Sequence, residues 1–113
     1  MKKTDKKIES TLVSALTDVC ELALQEIEGF KWITHLVDYR RFPDSLVIVC
    51  VFDSNDHLSA LLAAGKDQYL RRLINEKLTS IPQLKHHRYQ LKLDSEEACA
   101  FEHSGKWHQR LSL

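Results

Sequence analysis

The stretch Leu46-Val47-Ile48-Val49-Cys50-Val51-Phe52 decides the fold, because these apolar residues follow one another without a polar face. A short β-branched run of this kind is typical of a strand covered on both sides, which places it in the centre of a small sheet. The run stops at Asp53-Ser54-Asn55-Asp56, whose side chains suit the start of a helix. It therefore predicts a central strand that leads directly into a helix.

A helical pattern follows this strand and is interrupted near its middle by Ala63-Ala64-Gly65. Ser54, Asn55 or Asp56 is predicted to cap it. Inside a helix, glycine costs about 1 kcal/mol relative to alanine. We therefore expect the helix either to break at Gly65 or to pack so closely there that no side chain fits. Its apolar positions recur at helical spacing on both sides of the interruption: Leu58, Leu61, Leu62, Tyr69, Leu70, Leu73, Ile74 and Leu78.

The residues before the central strand predict a long amphipathic helix and a second strand. Thr4 or Asp5 is expected to cap the helix and Gly29 to end it, while residues 1–5 are expected to fray. Residues 30–39 are β-branched and aromatic, so they predict a strand that pairs with the central one as an antiparallel hairpin. The apolar stripe of the helix consists of Ile8, Leu12, Ala15, Leu16, Val19, Ala23 and Ile27.

The part after Pro82 predicts a half-buried strand, because Tyr89, Leu91 and Leu93 alternate with polar residues. Residues 98–103 and 106–111 flank a Ser-Gly pair and favour a C-terminal hairpin. The alternative there is a short helix that Ser95 caps. The pattern predicts an α+β sandwich in the order α-β-β-α(-α)-β, with helices on one face of a mostly antiparallel sheet.

The composition indicates one globular domain over residues 1–113. Sixteen basic and sixteen acidic residues cancel, which argues against polyanion binding over the whole surface and leaves room for a local basic patch. No run approaches the roughly 20 apolar residues of a membrane-spanning helix, so no membrane association is expected. The three dispersed cysteines make a poor disulfide framework, and the chain is expected to be cytoplasmic.

The cations occur in four groups with aromatic residues between them. Lysine and arginine bind phosphates, and aromatic faces stack on unpaired bases, so converging groups would form an RNA-binding surface. The alternative is a solvated surface of scattered charge, since acids alternate with the cations. One group is the N-terminal lysines at positions 2, 3, 6 and 7, and another is Lys85 with Arg88. The predicted nucleic-acid contacts come from the remaining two groups: Arg40, Arg41, Lys66, Arg71 and Arg72.

No catalytic, cofactor or metal motif is present, so we expect a non-enzymatic domain with no cofactor and no small-molecule ligand. A serine-nucleophile elbow is absent, and burial in the apolar strand would blunt Cys50. Cys99, His103, His108 and the pair His86-His87 offer ligand atoms. Their spacing matches no familiar zinc pattern, so no metal site is expected.

Two short motifs carry a resemblance to the ribosome-binding factor A family, small bacterial proteins with a type II KH-like fold. Ala63, Gly65 and the following Tyr69-Leu70-Arg71-Arg72-Leu73 resemble its Ala-x-Gly kink and second helix. Ile81-Pro82-Gln83-Leu84 resembles its Val-Pro-x-Leu entry to the last strand. The likeness spans roughly residues 8–93 and implies a KH-like two-layer sandwich that contacts RNA or a ribosomal particle.

The whole chain also resembles an uncharacterised gammaproteobacterial family often labelled a Fis-type transcriptional regulator. That label implies a C-terminal helix-turn-helix, whereas residues 89–113 alternate like strands. The first expected function is therefore a non-enzymatic KH-like domain that contacts RNA or a ribonucleoprotein. The second is a protein-interaction or homodimerising domain joined through an exposed strand, and the third is a DNA-binding regulator.

Overall fold

A computed structural model describes residues 2–84 and 89–112 and confirms the α+β fold class. The likeness to KH domains stays a prediction from the sequence. The helices and strands are α1 (Lys3–Glu26), β1 (Phe30–Leu36), β2 (Val47–Phe52), α2 (Asn55–Ala63), α3 (Asp67–Leu78), β3 (Gln90–Ser95), α4 (Glu96–His103) and α5 (Trp107–Leu111). Two 3-10 turns span Tyr39–Arg41 and Pro82–Leu84.

Strand β2 is the central strand of a three-stranded sheet in the order β1-β2-β3. It is antiparallel to β1 and parallel to β3, so that Ile33 and Leu93 flank Cys50. All its residues from Ile48 to Phe52 are buried, which confirms the predicted central strand. The sheet is nevertheless mixed and not mostly antiparallel, because α2 and α3 carry the chain back to the starting end of β2 before β3 begins.

One face of the sheet packs against α1 and α3 and forms the main core. Ile48, Cys50 and Phe52 point to this face, and all three are fully buried. The amphipathic stripe of α1 and the apolar side of α3 cover them, as the helical spacing predicts. The residues that these two helices bury are Leu12, Ala15, Leu16, Val19, Ala23, Leu70, Leu73, Ile74 and Leu78.

The C-terminal helices cover part of the other face of the sheet. Val49 points to that face and is buried although α1 and α3 lie on the opposite side. The ring of Trp107 in α5 meets Trp32 of β1 edge to face, with the ring centroids 4.7 Å apart. Arg110 of α5 forms an ion pair with Asp94 of β3. The predicted two-layer sandwich therefore gains a partial third layer.

The predicted C-terminal hairpin is wrong, because residues 98–103 and 106–111 lie in or around α4 and α5. Ser95 begins α4, and its hydroxyl oxygen accepts a hydrogen bond from the backbone N–H of Ala98. Ser104 and Gly105 have φ values of 54° and 77°, a left-handed pair that ends the helix. A Ser-Gly pair suits both a hairpin turn and a helix end, so the sequence alone leaves the choice open.

The interrupted helix breaks at Gly65, as one of the two sequence alternatives predicts. Gly65 has a φ of 70°, and nothing lies within 4 Å of the position that a Cβ would occupy. The left-handed backbone is therefore the reason for glycine at this position, and close packing is not. Ser54 caps α2 as predicted, whereas α1 begins at Lys3 without a side-chain cap. The predicted cap by Thr4 or Asp5 is wrong, since both lie inside the first turn.

Candidate nucleic-acid interface

The predicted nucleic-acid contacts lie at different places on the molecule. Arg40 and Arg41 lie in the 3-10 turn that follows β1, whereas Lys66 precedes α3 and lines a cavity with Glu28, close to the start of β1. Strand β1 has seven residues, so about 20 Å of strand separates the two places. The structure therefore does not bring the five predicted residues onto one surface.

Arg71 and Arg72 lie near the middle of α3, between those two places. Both side chains are exposed, and neither is within ion-pair distance of a carboxylate in the described part of the chain. The Tyr89 hydroxyl donates a hydrogen bond to Asn75 on the same helix. Burial raises the pKa of Tyr89 to about 12, and the nearby charge of Arg71 opposes that rise. Two exposed arginines on one helix form a small cationic surface at most.

A larger cationic surface forms where α1 meets the 3-10 turn. The Tyr39 hydroxyl donates a hydrogen bond of 2.5 Å to Glu9, and His35 Nε2 lies 2.9 Å from the same carboxylate. These contacts hold the first turns of α1 beside the turn that carries the two arginines. We call the exposed cations of these two segments the basic end, which consists of Lys2, Lys3, Lys6, Lys7, Arg40 and Arg41.

The N-terminal lysines are the site residues that sequence reasoning left out of the predicted contacts. Their clustering is visible in the sequence, but nothing in the sequence places the start of α1 against the turn that carries Arg40 and Arg41. Asp5 and Lys6 lie one turn before Glu9 on α1. Burial and the contact with Glu9 raise the pKa of Tyr39, and the charge of Asp5 raises this pKa further. The hydrogen bond between Tyr39 and Glu9 could not be predicted from the sequence, because it joins residues that are 30 positions apart.

Most cations of the basic end are available to a ligand. Arg40 is the exception, because its Nε and Nη2 atoms both lie 3.2 Å from the carboxylate of Asp38. The hydrogen bonds from Arg40 lower the pKa of Asp38. The Arg40 side chain is 90% exposed, so water and salt weaken the pair and a phosphate can replace Asp38. The other five cations form no ion pair within residues 2–84 and 89–112.

The opposite end of the sheet is rich in acids. Because β2 and β3 are parallel, α2 and α4 begin side by side there. The backbone N–H of Asn55 donates to Glu97 Oε1 over 2.8 Å, and the Ser95 hydroxyl donates to Asn55 Oδ1 over 2.5 Å. Acids near helix N-termini are stabilising. Lys66 belongs to this end, where nearby carboxylates such as Glu28 disfavour a phosphate.

His57 joins two of these acids. Its Nδ1 lies 2.7 Å from Asp53 Oδ1, and its Nε2 lies 3.4 Å from Glu28 Oε1. The hydrogen bond with Asp53, with the charges of both acids, raises the pKa of His57 against the opposing effect of burial. The imidazolium form therefore connects the end of β2 to the segment between α1 and β1.

Protonation of His57 should stabilise the fold. A raised folded-state pKa gives stability that is complete below the unfolded value of about 6.5 and is lost as pH rises through the folded pKa. We expect the Tm to fall as the pH rises above about 6.5, the unfolded-state pKa of histidine. The decline should be smaller in His57→Gln. Melting curves of both proteins at constant ionic strength measure this, and parallel curves would contradict it.

The last of the described helices, α5, packs against the sheet. α5 has only five residues, and its Trp107 and Arg110 side chains contact the sheet. Cys99 is buried in α4, and His103 Nδ1 lies 3.2 Å from an Arg110 nitrogen. In the described residues, no group of three or more His, Cys, Asp or Glu side chains could hold a metal ion. The His86-His87 pair lies outside those residues.

Burial disfavours the ionisation of two cysteine thiols, Cys50 in β2 and Cys20 in α1. Burial raises the pKa of Cys50 to about 12. Burial also raises the pKa of Cys20, against a hydrogen bond with the backbone of Ile33. Both side chains are therefore neutral near pH 7 and lack the thiolate form that nucleophilic chemistry requires.

No known family model matches the chain, and no curated protein or solved structure is significantly similar to it. Among the helices of residues 2–84 and 89–112, none has the length and apolar character needed to cross a membrane.

Proposed function

We propose that the protein is a non-enzymatic domain that contacts RNA through the basic end. The observation that supports this is the contact between Tyr39 and Glu9, which holds the helix that carries the N-terminal lysines against the turn that carries Arg40 and Arg41. Five of the six cations have no carboxylate partner among the described residues, so they can bind phosphates without first breaking an ion pair. The resemblance to ribosome-binding factor A favours RNA or a ribonucleoprotein over other polyanions.

The separation of charge explains how a protein without net charge can bind a polyanion. Attraction is confined to one end, while the acids at the other end of the sheet repel phosphates and orient the protein. Contacts of this kind are sequence-independent and depend strongly on salt, with dissociation constants of about 10⁻⁴ to 10⁻⁶ M. Sequence preference would then require contacts to bases.

Charge reversal at the basic end tests the proposal. We expect Lys6→Glu/Arg41→Glu to weaken binding of a fluorescently labelled single-stranded RNA by about tenfold or more at low salt, since two phosphate contacts become repulsive. Arg71→Glu/Arg72→Glu changes the net charge equally and should weaken binding much less. Fluorescence anisotropy at a low and a moderate salt concentration measures both variants against the original protein.

The comparison separates three outcomes. Equal losses would mean that net charge alone matters, and the basic end would not be the interface. A larger loss in the α3 variant would move the interface to Arg71 and Arg72. Failure of the original protein to bind RNA at low salt would reject the function.

A homodimer is the second proposal, and one observation favours it. β1 is an edge strand, and a cavity of about 320 Å³ between it and α1 is lined by apolar side chains such as Val13, Leu16 and Ile33. Val13 is 45% exposed. A second copy could pair with β1 and cover this cavity. Sedimentation equilibrium decides the point, since a monomer at all concentrations would exclude it.

A further inference from the structure

A second groove, of about 200 Å³, opens beside the basic end between the first turns of α1 and residues 80–83. Its walls are apolar. Ile81 and Pro82 form one side, and Ile8 of α1 forms the other. Ile81 is buried, Ile8 is half-buried and Pro82 is exposed, so the groove lies at the edge of the folded core.

Polar groups with free hydrogen-bonding capacity stand around these walls. Lys7, a member of the basic end, lines the groove and forms no ion pair in the described part of the chain. The Thr11 hydroxyl donates to the carbonyl of Lys7 over 3.0 Å, which leaves its oxygen able to accept. The Gln83 side chain also lines the groove, and an amide both donates and accepts.

We propose that this groove receives one unpaired nucleobase of an RNA whose phosphates lie on the basic end. The inference rests on the proposed function and deepens it. The flat face of a base fits between apolar walls, and the amide and hydroxyl groups can pair with its edge. Lys7 belongs to the basic end and also lines the groove, so one nucleotide can place its base in the groove and its phosphate on the basic end. A base inside a duplex is stacked and paired, and it cannot enter.

The groove therefore predicts a preference for single-stranded RNA. We expect a single-stranded oligoribonucleotide to bind about tenfold more tightly than a duplex of the same sequence, because only an unpaired base can enter the groove. Ser80→Trp places a large side chain in the groove and should abolish this preference. Ser80 is exposed, and among the described residues its hydroxyl makes one long contact of 3.5 Å, to the Lys77 carbonyl, so the fold should tolerate the change.

Ser59→Trp is the matched control, because Ser59 is an exposed residue of α2 away from the groove. It should keep the preference. Thr4→Trp, on the α1 side of the same groove, repeats the test if Ser80→Trp fails to fold by circular dichroism. Anisotropy titrations of both RNA forms give the measurement.

The outcomes distinguish this inference from the function on which it rests. If neither RNA form binds, the proposed function fails and the groove proposal fails with it. If both forms bind equally and with the salt dependence of phosphate contacts, the basic end stands and the groove proposal is overturned. An unchanged preference in a folded Ser80→Trp protein would also overturn it.

Discussion

Replacing Arg110 with alanine is expected to lower the free energy of unfolding by about 2 kcal/mol, between the cost of losing an exposed ion pair and that of removing one partner from a buried pair. Arg110 Nε and Nη2 donate to the two carboxylate oxygens of Asp94 over 2.5 and 2.8 Å. Nη1 donates to Glu102 over 2.8 Å. The Arg110 and Asp94 side chains are only 14% and 19% exposed, so water cannot fully replace the lost partner.

The free energy of unfolding should fall for a second reason, because Arg110 also holds α5 on the sheet. Burial tends to raise the pKa of Asp94, and the hydrogen bonds from Arg110 and from the Ser95 backbone outweigh it and lower the pKa. Without Arg110, the Asp94 carboxylate stays partly buried and loses this compensation. α5 then keeps its packing against α4 and the contact between Trp107 and Trp32.

Urea denaturation followed by tryptophan fluorescence measures the effect, since both tryptophans lie at the contact between α5 and the sheet. Arg40→Ala is the matched control. This substitution also breaks an ion pair between an arginine and an aspartate. Because the Arg40 side chain is 90% exposed, its pair with Asp38 should contribute nothing measurable to the free energy of unfolding. Equal midpoints for the two variants would show that α5 is not held by this ion pair.

Replacing Gly29 with alanine is expected to cost about 3 kcal/mol, from a strained backbone and a steric clash together. Gly29 has a φ of 84°, in the left-handed region that a side chain rarely adopts. A Cβ there would lie 2.5 Å from the Cβ of His57, which sits close to its own backbone and cannot swing away. Either α2 or the segment before β1 must move, and the pair between His57 and Asp53 would be disturbed.

Gly65→Ala separates the two causes. Gly65 has a similar φ of 70°, but nothing lies within 4 Å of its Cβ position, so only the backbone cost of about 1 kcal/mol should appear. Urea midpoints of both variants give the comparison. If Gly29→Ala lowers the free energy of unfolding no more than Gly65→Ala does, His57 moves away from the new Cβ without a cost in free energy.

The elements with local signals were predictable from the sequence. The apolar run 46–52 has no polar face, and only a strand with neighbours on both sides can satisfy it. Gly65 marked a special position in the helix, because glycine suits left-handed backbone, although the sequence also allowed close packing there. The apolar stripe of α1 identified the face that packs on the sheet. None of these features depends on residues distant in the sequence.

The features that the sequence did not predict all depend on distant contacts. α5 lies on the sheet because Trp107 meets Trp32 and Arg110 meets Asp94, and these pairings leave no periodic trace. The basic end has the same character, since it requires the bond between Tyr39 and Glu9. The sequence alone placed Lys66 and Arg40 among the same predicted nucleic-acid contacts, although β1 separates them.

The parallel pairing of β2 and β3 has a consequence for the newly made chain. Val47 pairs with Gln90, so this pairing cannot form until roughly forty further residues have been synthesised after Val47. Until then one edge of an entirely apolar strand has no hydrogen-bonding partner, the arrangement through which separate chains join into aggregates. A fragment that stops before Gln90 keeps that edge open, whereas the intact chain covers it with a strand whose alternate residues are polar.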